Sequence, residues 1–197
     1  MSTDSTDSAY AERLRTREAV WWKRMLDVQR PYRAHLRRLK LGRVLDVGCG
    51  IGRNLGHLDG QGVGVDPNVD AVATCKARGL TAFTPAELEA SEHARPGAFD
   101  ALLISHVLEH LSEDAALALI TTYLPYVRSR GRAVFITPQE AGYRSDPTHV
   151  EFVDLARLDS LARKAGLEPV SAYSFPFPRP VGRVFKYNEF VLVAHKP

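Results

Sequence analysis

The sequence predicts an α/β protein with a mostly parallel sheet covered by helices on both faces. Two observations carry this expectation. Short apolar runs alternate with helical stretches along the chain, without internal repeats. The first of these runs, Val44-Leu45-Asp46-Val47, passes directly into Gly48-Cys49-Gly50-Ile51-Gly52, as a buried strand does when it enters a turn that a ligand must approach closely. At 197 residues the chain is long enough for one well-buried domain and short for two.

Residues 1–8 are rich in Ser, Thr and Asp and lack apolar periodicity, so they read as a disordered tail ahead of a single domain over 9–197. Over about 9–40 an N-terminal helical extension is expected. Its Leu14, Trp21, Trp22, Met25 and Leu26 pack inward, and its many arginines and lysines are solvated or face an anionic partner. Strands are expected near 43–48, 61–66, 80–83, 99–104, 131–137, 168–174 and 184–194. A helix over 113–128 carries Ala116, Leu117, Leu119, Ile120, Tyr123 and Leu124 on its apolar face, with Pro125 kinking or ending it. Another, over 154–165, stops at Gly166. Neither a signal peptide nor a run approaching the ~20 apolar residues of a spanning helix is visible. With Cys49 and Cys75 as the two cysteines, the sequence offers no disulfide framework and fits a reducing cytoplasm.

The glycine spacing discriminates between nucleotide cofactors. A dinucleotide fingerprint needs its last glycine three residues after the second, and Arg53 stands there. One strand later, Gly62-Val63-Gly64-Val65-Asp66-Pro67 ends in a carboxylate suited to ribose hydroxyls, or to capping a helix that starts at Pro67. These two motifs, together with Phe99-Asp100-Ala101-Leu102-Leu103-Ile104-Ser105-His106-Val107-Leu108-Glu109-His110, resemble the class I S-adenosylmethionine (SAM) methyltransferases over nearly the whole chain. The resemblance implies a Rossmann-like seven-stranded sheet whose last strand is antiparallel. It implies SAM as cofactor, S-adenosylhomocysteine as product, and contacts from Asp46 (to the ammonium group), Gly48, Cys49, Gly50, Gly52, Asp66, Pro67 and Ser105. The loop after the third strand, Thr84-Pro85-Ala86-Glu87, would bring Ala86 and Glu87 to the adenine.

The residues after the fourth strand narrow the acceptor. Methyltransferases of exocyclic base amines resemble one another in a Pro-Pro-aromatic tetrapeptide, where this chain has Ser105-His106-Val107-Leu108. A hydroxyl acceptor needs a general base, since it is almost wholly protonated at neutral pH. His106, His110 and His149 are the candidates. His149 lies in the long connection after strand five and is favoured as the base, with Asp146 to orient it and His106 nearby. His106, Glu109 and His110 also show i, i+3, i+4 spacing, which on a helix would gather them into a divalent-cation site. Their letters match a zinc-protease pattern, but their place after a parallel strand argues against proteolysis.

The chain is further similar to small actinobacterial sugar O-methyltransferases, including those that act on the 1-hydroxyl of short mannosides in mycobacterial methylmannose polysaccharide synthesis. That likeness implies a small carbohydrate acceptor and a soluble enzyme without membrane association. The aromatic, proline-stiffened stretch Tyr173–Pro180 suits a pyranose ring, a homodimer contact or local packing. Two other classes stay open: a phenol or carboxylate O-methyltransferase of quinone or polyketide metabolism, and an RNA-binding methyltransferase using the basic N-terminal segment. The small number of methionines, two, argues mildly against the first.

Overall fold

The computed structural model describes residues 29–197. The expected tail over 1–8 and the extension up to residue 28, with its Trp21 and Trp22, lie outside the described residues. Helix α1 (Arg30–Arg38) leads into β1 (Val44–Val47), α2 (Arg53–His57), β2 (Gly62–Val65), α3 (Val69–Ala77), β3 (Ala82–Phe83), α4 (Pro85–Glu89) and β4 (Phe99–Ser105). After a 3-10 turn over Leu108–His110 come α5 (Glu113–Tyr123), a second 3-10 turn (Leu124–Tyr126) and β5 (Val127–Pro138). The chain continues through α6 (Glu140–Tyr143), α7 (Leu155–Lys164), β6 (Glu168–Phe175), a third 3-10 turn (Arg179–Arg183) and β7 (Glu189–His195).

The seven strands form one sheet in the order β3-β2-β1-β4-β5-β7-β6. Strands β1 to β5 pair in parallel, and β7 runs antiparallel to both β5 and β6. This is the Rossmann-like sheet expected, with the last strand reversed. Because successive strand side chains point to opposite faces, each central strand feeds two cores. Leu102 and Ile104 of β4, Phe135 of β5 and Leu192 of β7 pack beneath Ile120 of α5 and Leu158 of α7. Leu103, Val134, Ile136, Val191 and Val193 pack on the other face with Leu36 of α1. Burial on both sides explains why these strands read as continuous apolar runs. Among the described residues no helix is long and apolar enough to cross a membrane.

Four local expectations are corrected. The helix expected over 113–128 ends at Tyr123, because Pro125 has no N–H to continue the ladder; residues 124–126 tighten to 3-10, and Val127 already begins β5. The strand expected from 184 begins at Glu189, since Val184, although apolar, sits 83% exposed beyond the third 3-10 turn. The segment Thr84–Glu87 is the capped start of α4 rather than a loop. Helix α3 starts at Val69, not Pro67: Asn68 Oδ1 accepts from the Ala71 N–H at 2.8 Å, so Asn68 is the cap rather than Asp66.

Candidate functional site

The strand order reverses between β1 and β4, which opens a crevice outside their carboxyl ends. The glycine loop closes one side of it. Gly48 and Gly52 both adopt left-handed φ values, +73° and +79°. At Gly48 a Cβ would fall 2.2 Å from Val107 Cγ2, so the missing side chain lets the segment after β4 lie directly on the loop. The N–H groups of Gly48 and Cys49 donate to the Val65 carbonyl at 2.8 and 3.2 Å, folding the loop over the end of β2. Cys49 and Cys75 are both buried free thiols that donate to the Gly50 carbonyl at 3.6 and 3.2 Å, and their mutual contact pushes the Cys49 thiol up and that of Cys75 down.

Asp66 anchors the second edge of the crevice. Its Oδ2 accepts from the Gly50 N–H at 2.8 Å and its Oδ1 from the Asn68 N–H at 2.9 Å, leaving a second lone pair on each oxygen. Burial raises its pKa, against those two backbone donors. Asp46 is fully buried on β1, and among the described residues neither of its carboxylate oxygens has a partner of hydrogen-bonding geometry. Burial pushes its pKa up to about 7; the Asn54 side chain works against this and the Asp66 carboxylate adds to it. A buried carboxylate without a donor needs one. This orphaned group, a second carboxylate with free lone pairs and a side-chain-free cradle between them fit SAM, whose ammonium would meet Asp46 and whose ribose would meet Asp66.

The remaining cofactor candidates divide. Pro67 is exposed beside Asp66, and Ser105 is half-buried at the end of β4. Ala86 is exposed on α4. The Glu87 carboxylate closes a capping box with the Thr84 N–H at 2.8 Å and pairs with Lys76 at 3.1 Å, which together hold its pKa down. The carboxylate expected at the adenine is therefore committed to the helix cap.

Directly after β4 stands a left-handed residue, His106, with φ +58°. Its ring bridges two carboxylates: Nε2 to Glu189 Oε1 at 2.8 Å and Nδ1 to Glu109 Oε1 at 3.3 Å. Burial alone would lower its pKa, but the two carboxylates prevail and push it up to about 10. The two carboxylates thus favour the imidazolium form of His106, which has no lone pair, and disfavour it as a base. The helical grouping of His106, Glu109 and His110 is also not realised, because Leu108–His110 is a 3-10 turn with a different angular spacing.

His149 takes the place expected of His106. The Val150 and Glu151 N–H groups donate to the Glu109 carbonyl at 2.8 and 3.1 Å, which folds the connection after β5 back onto the turn after β4. This brings the ligating atoms of Glu109, His110 and His149 within 4.8 Å of one another. The His149 ring lies against Tyr143, centroids 5.2 Å apart and 21° between planes, and 4.8 Å from the His110 ring. Its Nδ1 bonds the Tyr143 carbonyl at 2.7 Å. Asp146 does not orient it as expected: Oδ1 accepts from the Thr148 hydroxyl at 2.7 Å and N–H at 3.0 Å, and these donors hold its carboxyl below the usual range although burial pulls the other way. Tyr143, Thr148 and Glu189 are site residues that the sequence did not single out. Glu189 opens an antiparallel strand, so its position at this rim comes from topology alone.

A family model described as a methyltransferase domain matches residues 21–172. A ubiquinone biosynthesis O-methyltransferase of Methylococcus capsulatus is 28% identical over 142 residues, covering 63% of this chain, and the match spans 60% of that protein's length. Among solved structures, a SAM-dependent methyltransferase from Archaeoglobus fulgidus superposes with a TM-score of 0.68 at 21% identity, covering 90% of this chain and 98% of that one. The 1,6-didemethyltoxoflavin-N1-methyltransferase of Burkholderia thailandensis, solved with S-adenosylhomocysteine, gives 0.62 at 21% identity, covering 97% and 87%. Both share this fold, and with its family model matched over most of its length the chain belongs to the methyltransferase-domain family.

Proposed function

We propose that this protein is a SAM-dependent O-methyltransferase that acts on a sugar hydroxyl, the 1-hydroxyl of a short mannoside, activated at His149. The observation that carries the reading is the state of that imidazole. A backbone carbonyl can only accept, so the 2.7 Å contact to Tyr143 fixes the His149 proton on Nδ1 and leaves an Nε2 lone pair free at the carboxyl rim. SAM supplies a methyl carbon on a sulfonium: the acceptor oxygen forms the new C–O bond, the C–S pair leaves with S-adenosylhomocysteine, and the hydroxyl proton passes to His149 Nε2. The chain itself aligns the partners, since Val107, one residue before the turn that carries Glu109 and His110, seats on Gly48.

A ring-shaped acceptor is supported by Phe177, Phe185 and Tyr187, exposed and joined edge to face at 5.5 and 5.6 Å. They stand between β6 and β7, where the amino end of the antiparallel β7 reaches the rim that carries Glu189. A second reading, a phenolic acceptor, is favoured by the name of the Methylococcus relative. Label transfer from isotopic SAM separates them, using mannosides and glucosides with free or blocked reducing ends beside catechols. Transfer confined to free-ended sugars is expected. His149→Ala should lose about 10²- to 10⁴-fold in turnover with SAM affinity unchanged; transfer to catechols alone would overturn the sugar assignment.

A further inference from the structure

We infer that Glu109, His110 and His149 form a binding site for a divalent first-row transition ion at the acceptor end of the crevice. The inference rests on the O-methylation reading above and deepens it: His149 then acts on the hydroxyl through an ion rather than on its proton directly. Three observations converge. First, Glu109 and His110 come from the turn after β4 and His149 from the connection after β5, yet the ligating atoms of the three lie within 4.8 Å of one another. Two ligands on one ion at about 2.1 Å are at most about 4.2 Å apart, so closure needs only a small side-chain rotation.

Second, both rings are held in the tautomer that a metal requires. His110 Nδ1 lies 3.1 Å from the Thr148 carbonyl and His149 Nδ1 lies 2.7 Å from the Tyr143 carbonyl. Each carbonyl can only accept, so both Nδ1 atoms carry the proton and each ring keeps its Nε2 lone pair for an ion. Backbone carbonyls in that outer position are how ligating histidines are ordinarily oriented. Third, Glu109 is fully buried and, among the described residues, neither of its oxygens has a partner of hydrogen-bonding geometry. His106 approaches only Oε1, at 3.3 Å, which leaves Oε2 for an ion. A buried carboxylate oxygen without a donor, beside two imidazoles, suits a cation.

The donor set names the ion class. Two nitrogens and one oxygen suit zinc, manganese, iron or cobalt better than magnesium or calcium, which prefer oxygen. Three protein ligands leave positions open, and a polyol can fill two of them with adjacent hydroxyls. A hydroxyl on such an ion loses its proton to solvent at far lower pH than a free one.

The test uses the full chain after exhaustive chelation, titrated with Zn²⁺ by calorimetry and with Co²⁺ by visible absorption. One equivalent per chain is expected, weakened at least tenfold in His110→Ala and in Glu109→Gln, the second being nearly isosteric and checked for folding by circular dichroism. No saturable one-equivalent binding, or binding undiminished in both variants, would overturn the site. Label transfer to sugars should be lost on chelation and return with the ion. Full transfer by the chelated enzyme sinks the ion site and leaves the O-methylation reading standing with His149 acting directly. One-equivalent binding without transfer to any hydroxyl does the reverse.

Discussion

At the scale of single residues, the site is marked by polar groups that the protein itself does not satisfy. Asp46 is the clearest, a fully buried carboxylate whose pKa burial raises to about 7 from an ordinary value of 3.8. Between those two values the folded chain holds a proton that the unfolded chain has lost. Its contribution to stability is therefore present below pH 4 and is lost as pH rises through 7, in the absence of cofactor. A bound ammonium reverses the preference by favouring the carboxylate. SAM affinity is thus expected to rise with pH from 6 to 8, approaching tenfold per unit below 7, with proton release on binding. Asp46→Asn should flatten that slope and weaken binding at pH 8 by about 10- to 100-fold, the worth of a charged hydrogen bond. Calorimetry in two buffers of different ionisation enthalpy measures both; a slope that survives in the variant would show that another group, not Asp46, meets the cofactor. His106 is the opposite case, already satisfied by Glu109 and Glu189 and therefore charged. Its left-handed backbone marks the point where the chain leaves β4 to build the acceptor side.

At the scale of elements, contact between the glycine loop and the segment after β4 makes one crevice from two motifs. Gly48→Ala would place a methyl 2.2 Å from Val107 Cγ2 at a φ of +73°. A cost of about 1–3 kcal/mol from overpacking, plus about 1 kcal/mol for the backbone, is expected. Adding Val107→Ala should return the steric part and leave the backbone part, as urea midpoints would show; a neutral Gly48→Ala would mean that the loop moves freely and does not set the crevice. This contact also shows why half of the site was legible in the sequence. Asp46, the glycines and Asp66 lie within two adjacent strand-loop units, so local spacing placed them. The acceptor half depends on His110 meeting Thr148 across 38 residues and on Glu189 arriving from an antiparallel strand, pairings that only the folded topology makes. The same limit explains the local errors. Val184 and Phe185 look like the start of a strand but have no strand beside them, and Glu87 looks like a ligand but is a cap. Asp146 is close to His149 in the chain, yet the tight turn at Thr148 claims its carboxylate.

At the scale of the whole molecule, the two ends of the sheet differ in how their polar groups are paired. At the amino end Asp100 accepts from the Arg43 N–H at 2.9 Å and from Arg128 at 2.7 Å, and Lys196 donates to the Leu124 and Val127 carbonyls. Those groups are satisfied within the chain. At the carboxyl end, among the described residues, Asp46 beside Asn54 and Glu109 beside His106 have no partner of hydrogen-bonding geometry. A folded chain in this form carries poorly satisfied buried carboxylates at one end of its sheet, and a ligand that binds them stabilises the fold by linkage. With SAM at a hundred times its dissociation constant the gain is about 2.7 kcal/mol, or a rise in Tm of about 5–10 °C for a chain of this size. Hydrogen exchange should locate that gain. Slowed exchange is expected in residues 46–52, 66–69 and 105–110, with the Arg43 and Arg128 end unchanged. Protection spread evenly over the sheet would mean that the cofactor stabilises the fold only globally, and protection at the amino end would place the cofactor outside the crevice. Because Val107 joins the cofactor loop to the acceptor turn, protection by SAM alone should extend to His110, and its extension would show that the two halves close together before any acceptor arrives.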